Sequence, residues 1–394
     1  MEQIKYLQHA RTEVRAVEFI FILGKNAELS EAELKSYLET RSLGFEPIDR
    51  GEGFIVLKLD GLPEKMMGEL GGALKIGEAV FSGEDANAAN FDRLFSTLPD
   101  KALFAVSAYG DRKDYVALAE LLKKKLKEYG IHAGCLHLAT NESAVSHTDI
   151  LKKHILEKGF EMLACRGKGF WLARTIAVHD PFEFRRHDME RPVQRAIFSI
   201  PPRLCRIMIN LAKIRSGILL DPFCGIGSVL QEAALMGFDI RGEDIDESAV
   251  SGCKENLRWL EKKYGVIIDN INVKIRQGDA RKLGGYFTAN SVDAIVTEPY
   301  LGEPLRERPN LRGAQGVLDE VGPLFEASLK EMTTVLKPHG RIVIVSPFFD
   351  VDGKQVGLDM EKLAGQNGLR LLQSIPDFEE HHRTLRLINV LIKD

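Results

Sequence analysis

At 394 residues the chain exceeds one ordinary domain, and its 44% hydrophobic content is that of a globular protein with a sizeable core, so two or three domains are expected. No run approaches the roughly 18 apolar residues of a membrane helix, which excludes a helical membrane protein. A net charge of -4 excludes gripping nucleic acid by bulk charge; any such partner must be held by local patches. The charges within Met1 to Arg15 do not fit a signal-peptide core, so no leader is expected. Cys135, Cys165, Cys205, Cys224 and Cys253 form no CxxC pair. Neither a metal site nor a disulfide framework is therefore expected, and a reducing cytoplasm is the simplest compartment.

Glu18 to Leu23 reads as a strand, and Gly24-Lys25-Asn26 as a turn. Ser30 with Glu33 three residues on fits a capping box at a helix start. Gly53 to Leu59 is strand-like again, which suggests a small α+β domain of ferredoxin-like type ending near residue 85. A second unit spans about 90 to 177. Within it Leu103 to Ser107 reads as a strand and Tyr115 to Tyr129 as a helix, whose stripe is Val116, Leu118, Leu121, Leu122 and Leu126. Its other face carries Lys123, Lys124, Lys125 and Lys127, either a solvated face or an RNA-facing patch. His147 to Lys158 reads as a helix and Phe170 to Ala177 as a closing strand. Phe182 to Arg191 is polar and reads as a linker, and Pro201-Pro202 opens a helix. From Gly217 strands and helices alternate, which implies a mainly parallel sheet covered on both faces, an α/β domain. Leu369 to Ser374 and Leu385 to Ile392 offer an antiparallel pair at one edge.

The alternating region opens on Asp221-Pro222-Phe223-Cys224-Gly225-Ile226-Gly227-Ser228, a strand breaking into a glycine-rich turn before a helix. Gly225 and Gly227 remove side chains where a ligand approaches the backbone. A dinucleotide fingerprint needs a third glycine, and here Ser228, Val229 and Leu230 follow. Asp221 would repel a phosphate but could accept a hydrogen bond from an ammonium. S-adenosylmethionine, with an amino-acid tail and no phosphate, fits better than NAD. Asp244 ends the next strand where ribose hydroxyls are bound, with Glu243 and Asp246 as near alternatives. Asp279 and the Ala280 backbone N–H are suited to adenine, and Phe223 and Ile245 complete the cofactor-binding set. These residues recur at successive strand ends, where open α/β sheets bind ligands.

The fourth strand runs into Glu298-Pro299-Tyr300, the expected catalytic group. A conjugated exocyclic amine is a poor nucleophile. Hydrogen-bond acceptors there orient its lone pair, while the aromatic ring stacks on a base drawn out of its helix. Methyl transfer needs no dedicated histidine, so His179, His187, His381 and His382 are read as surface or linker residues.

The segments Asp188-Met189-Glu190-Arg191-Pro192, Pro201 to Ala212 and DPFCGIGSVLQEA resemble the class I methyltransferases that modify guanosine N2 in tRNA, especially the archaeal and eukaryotic enzymes acting on position 10. The opening FIFILGKNAELSEAELKSYL is similar to the ferredoxin-like domain of that group, and about 90 to 177 sits where the group carries its THUMP domain. The resemblance implies a ferredoxin-like domain over 1–88, a THUMP-like RNA-binding domain over 89–180, a linker over 181–200 and a Rossmann-like methyltransferase domain over 201–394. It also implies S-adenosylmethionine as cofactor and tRNA as partner, with no membrane partner and a monomer or weak homo-oligomer; some relatives need a small activating subunit. The family usually carries Asp-Pro-Pro-Tyr after the fourth strand, where this chain has Thr297-Glu298-Pro299-Tyr300. Either Glu298 or Thr297 then takes the acidic position. Other readings are a methyltransferase of the same build acting on adenine N6 or cytosine N4, a non-catalytic RNA-binding member of the fold, and, more weakly, a dehydrogenase.

Overall fold

A computed structural model describes residues 17–62, 65–138, 142–195, 200–305, 307–377 and 384–394. The chain is mixed α/β and divides into two compact units. The first comprises residues up to Lys25, Ser42–Gly68 and Ala73–Asp180; the second comprises Asn26–Arg41, Glu69–Gly72 and Pro181–Asp394. Among the described residues no helix is long and apolar enough to cross a membrane.

The first unit is one sheet. Its strands are β1 (Val17–Leu23), β2 (Phe45–Gly51), β3 (Phe54–Leu59), β4 (Ala73–Gly83), β5 (Lys101–Tyr109), β6 (His132–Cys135), β7 (Gly159–Arg166) and β8 (Phe170–Val178), in the order β2-β3-β1-β4-β8-β7-β5-β6. The first four strands have the order of a ferredoxin-like sheet, and β4 joins them to the rest by pairing antiparallel with β8. Beneath the sheet Lys75 (2% exposed) and Glu161 (0%) form an ion pair. Ser107 and Thr175 hydroxyls donate to Glu161 at 2.5 and 2.6 Å, and Lys75 also donates to the Val145 carbonyl at 2.7 Å. Such a pair is tolerated inside because its remaining hydrogen-bonding capacity is met. The Arg112–Glu128 helix buries Leu118, Leu122 and Leu126, leaves Val116 48% exposed, and turns Lys123, Lys124 and Lys127 to solvent.

The second unit's sheet runs β11-β10-β9-β12-β13-β16-β15, with β9 (Ile218–Asp221), β10 (Asp239–Asp244), β11 (Ile275–Gln277), β12 (Val292–Thr297), β13 (Leu336–Val351), β14 (Lys354–Gly357), β15 (Leu369–Asp377) and β16 (Leu385–Lys393). Among the described residues β14 pairs with β13 alone. The first five of these strands are parallel, and β16 and β15 close the edge antiparallel. Alternate residues feed two cores, as strands buried on both faces must. Leu219, Ala294, Val296, Val343 and Val345 pack with Leu204, Met208, Leu230 and Leu257. Leu220, Ile295, Ile342 and Ile344 pack with Phe325, Leu329 and Met332 of the Leu311–Val335 helix. That helix begins at Leu311 because the Asn310 side chain caps it, accepting from Gly313 N at 2.9 Å. From β9 the chain builds outward through β10 and β11 on one side and through β12 and β13 on the other. Ligands settle at the carboxyl ends of such a switch point.

Three expectations are corrected. The first helix, Ala27–Thr40, starts on Asn26, whose side chain accepts from Leu29 N at 3.1 Å; Ser30 and Glu33 form no capping box. Glu33 is 0% exposed and accepts instead from Gly71 N, Gly72 N and Asn210 at 2.6–2.8 Å, while burial raises its pKa. Pro181–Met189, within the expected linker, is a helix. His187 on it is 2% exposed, not a surface residue, and its Nδ1 meets Glu232 at 2.8 Å. Glu232 also accepts from Arg206, whose guanidinium lies 4.5 Å from the Phe184 ring centre. His179 is likewise buried, in the first unit, and its backbone N–H donates to the Leu74 carbonyl at 2.9 Å. His381 and His382 lie outside the described residues.

Candidate active site

The apolar strand β9 ends on Asp221, and the chain turns to the Ser228–Leu235 helix through two left-handed glycines, Gly225 (φ +51°) and Gly227 (φ +90°). Four hydrogen bonds fix the turn: Phe223 N donates to Asp221 Oδ1 (3.1 Å), Cys224 N to the Glu243 carbonyl (2.8 Å), Gly225 N to Asp244 Oδ2 (2.8 Å) and Gly227 N to the Cys224 carbonyl (2.8 Å). The two glycines do different work. A Cβ on Gly225 would meet nothing within 4 Å, because it faces an open cavity. A Cβ on Gly227 would stand 2.6 Å from Cys253 Sγ. Gly227→Ala is therefore expected to cost about 1–3 kcal/mol in urea denaturation, from backbone strain and the clash with Cys253. Gly225→Ala carries the backbone term alone, but it fills the cavity; its measured loss should fall mainly on ligand affinity.

The cavity holds about 770 Å³ at the carboxyl ends of the strands. It is lined by Phe223, Gly225, Asp244, Ile245, Asp279, Ala280, Glu298, Pro299 and Tyr300 among the expected residues. Two expected residues do not line it. Gly227 packs on Cys253, and Asp221, 2% exposed, lies at the base of the turn. The Thr297 hydroxyl donates to Asp221 Oδ1 at 2.6 Å, and burial pushes the Asp221 carboxyl up to about 7.

The acidic residues after β10 separate clearly. Glu243 is 0% exposed beneath the sheet end and accepts from Arg276 Nε at 2.6 Å. Asp246 caps the Glu247–Tyr264 helix and pairs with Arg195 at 2.6 Å, which holds it well below the usual carboxylate range. Asp244 alone of the three lines the cavity; its oxygens accept from Gly225 N and Asp246 N. Asp279 caps the turn Ala280–Gly285 and is gripped by both Nε and Nη2 of Arg281, which lowers its pKa.

Thr297, the last residue of β12, is 0% exposed, while Glu298 after it turns into the cavity and accepts from Arg386 Nε at 2.6 Å. Tyr300 is 37% exposed; its hydroxyl donates to Glu303 at 3.3 Å, and burial, aided by Glu320 and Glu303, pushes the phenol up to about 12. Arg195, Arg281 and Arg386 are lining residues that sequence reasoning missed. No local spacing signals Arg386, which reaches Glu298 across 88 positions.

The lining matches S-adenosylmethionine. The lining arginines Arg195, Arg281 and Arg386 are each committed to a carboxylate, Asp246, Asp279 and Glu298, so the site offers acceptors more than a cradle for pyrophosphate. The Gly225 opening admits a ligand to the backbone itself.

A family model described as UPF0020, RMKL-like methyltransferase domain, matches residues 192–348. The tRNA (guanine(10)-N2)-dimethyltransferase of Pyrococcus abyssi is 30% identical over 330 residues, covering 84% of this chain and 88% of that protein. The enzyme of the same name from Methanothermobacter thermautotrophicus is 30% identical over 290 residues, covering 72% and 77%. Among solved structures, SMU.472 complexed with SAH aligns over 95% of this chain and 98% of its own, with a TM-score of 0.50 and 14% identity, a likeness of fold.

Proposed function

Because the chain belongs to the family of tRNA (guanine(10)-N2) methyltransferases, we propose that its strand-end cavity binds S-adenosylmethionine and that the protein methylates N2 of a guanosine in tRNA. One observation carries this reading: the glycine turn with Asp244 and the pair Glu298 and Tyr300 line a single cavity.

When bound, S-adenosylmethionine supplies a methyl group on a positively charged sulfur, electrophilic toward an amine. The chain's own residues do the rest. Asp244 accepts from ribose hydroxyls, and Asp279 with the Ala280 N–H takes the adenine edge. Phe223 and Ile245 offer apolar surface to the ring. Asp221, Gly225 and Gly227 shape and charge the turn that receives the amino-acid tail. Glu298 accepts a hydrogen bond from the exocyclic amine and aims its lone pair, Tyr300 stacks on the base, and Pro299, which is buried, stiffens the loop between them. Thr297 is not the acidic member of this loop: its hydroxyl is spent on Asp221.

Residues 89–180 take the RNA-binding role in this proposal, with Lys123, Lys124 and Lys127 as the exposed basic face. The cytoplasm remains the proposed compartment. Nucleoside mass spectrometry of tRNA from cells lacking the gene tests the reading: N2-methylated guanosine should be missing. Loss of a methylated adenosine or cytidine instead would reassign the acceptor.

A further inference from the structure

We infer that the Glu298–Arg386 pair selects guanine among the bases, with Glu298 reading two adjacent donors on the base edge and Arg386 acting as the positioning residue that fixes the carboxylate. This rests on the reading above that the cavity accepts a tRNA guanosine.

Glu298 directly follows β12, and Arg386 stands near the start of β16. The two strands are separated by β13, so the contact bridges a whole strand. Both side chains line the cavity, yet both are largely buried, at 14% and 12% exposure. Removing two charges from water at such a site brings little or no net stability. Folding therefore gives no reason for an ion pair here, whereas recognition does.

An ionised carboxylate only accepts hydrogen bonds, with about four lone-pair sites on its two oxygens. Arg386 Nε takes one of them at 2.6 Å and so fixes the plane of the group. About three sites remain, so both oxygens can still accept side by side. Guanine presents two adjacent donors, the ring N1–H and the exocyclic N2–H. Adenine and cytosine place their amine beside a ring nitrogen that is itself an acceptor. A carboxylate set against that edge meets one donor and one repelling lone pair. An amide, with one acceptor and one donor, would suit it instead. Sites that pair polar groups in this way reject a mismatched analogue far more strongly than an apolar pocket does.

The test uses the full chain and tRNA transcripts carrying either guanosine or 2-aminopurine at the position methylated in the unsubstituted transcript. 2-Aminopurine keeps the exocyclic amine but replaces the N1–H donor with an acceptor. The wild type is expected to favour guanosine by about 100-fold or more in kcat/KM. The same preference should appear in transcript binding with S-adenosylhomocysteine in place of the methyl donor. Glu298→Gln should cut that preference to about tenfold or less, because its amide can donate to the acceptor nitrogen. Arg386→Gln should lower the ratio as well, with S-adenosylmethionine affinity in calorimetry unchanged. Equal treatment of the two transcripts by the wild type overturns the inference. So does a proportional loss on both transcripts in the two variants, which would mark the pair as structural. Absence of any transfer to the guanosine transcript overturns the functional reading itself.

Discussion

Replacing Asp221 by asparagine is expected to weaken S-adenosylmethionine binding roughly 10- to 100-fold in titration calorimetry, while tRNA binding persists. The carboxylate is 2% exposed at the base of the glycine turn, so its charge is poorly screened. Asp221 does not line the cavity, so it acts on the cationic tail through its charge; two unit charges about 6 Å apart at an effective dielectric near 20 interact by about 3 kcal/mol, which bounds the loss. Asparagine keeps the shape and an acceptor for Phe223 N and the Thr297 hydroxyl, so the turn should survive. Alanine would leave both donors without that acceptor, and about 1–3 kcal/mol of stability would go with the affinity.

The pH dependence follows from the same group. Burial raises Asp221 from 3.8 to about 7 in the ligand-free fold. A raised folded value means that the fold favours the protonated carboxyl. The stability this contributes is complete below the unfolded value and is lost as pH climbs from about 4 through about 7. A cationic cofactor favours the ionised form, so its affinity should rise with pH below about 7, by no more in total than the roughly 10- to 100-fold ascribed to the charge, and level off above it. Asp221→Asn should flatten both trends. A wild-type affinity with no slope between pH 5.5 and 7, or one that the asparagine variant leaves unchanged, would remove Asp221 from the site.

Glu298→Ala should produce the largest catalytic loss, about 100- to 1000-fold in kcat, with S-adenosylmethionine affinity nearly unchanged. The magnitude is that of removing one preorganised polar partner from an active site. Glu298 acts where the amine must be aligned and not where the cofactor is held. The alanine also takes a carboxylate partner from Arg386. The companion Arg386→Met, which keeps bulk without the charge, separates the two effects by thermal denaturation. If Glu298→Ala turns over within tenfold of the wild type in single-turnover assays, the amine is oriented by another group.

The second unit was largely legible because its signals are local. Alternating apolar strands, the Asp221 to Ser228 turn and the acidic residues Asp244 and Asp279 each sit within a few residues of the backbone break that gives them meaning. Glu298-Pro299-Tyr300 was legible for the same reason, although only the structure separates Glu298, in the cavity, from Thr297, bonded to Asp221. Partners brought by the fold from far away were invisible. Arg386 reaches Glu298, Asn210 reaches Glu33 and Glu232 reaches His187 across long separations that carry no spacing rule. Glu33 shows the cost: a capping-box pattern in sequence became a buried acceptor for Gly71, Gly72 and Asn210. Gly227 shows a subtler one. Both glycines of the turn looked alike, but one opens the cavity and the other makes room for Cys253.

The most direct test of the central claim is one reaction. The purified full chain is incubated with unmodified tRNA transcript and S-adenosylmethionine carrying a labelled methyl group, and the RNA is digested to nucleosides for mass spectrometry. The account predicts label in N2-methylated guanosine, reduced at least about 100-fold by Glu298→Ala. Label in any other nucleoside, or N2-methylguanosine formed equally well by that variant, would contradict it.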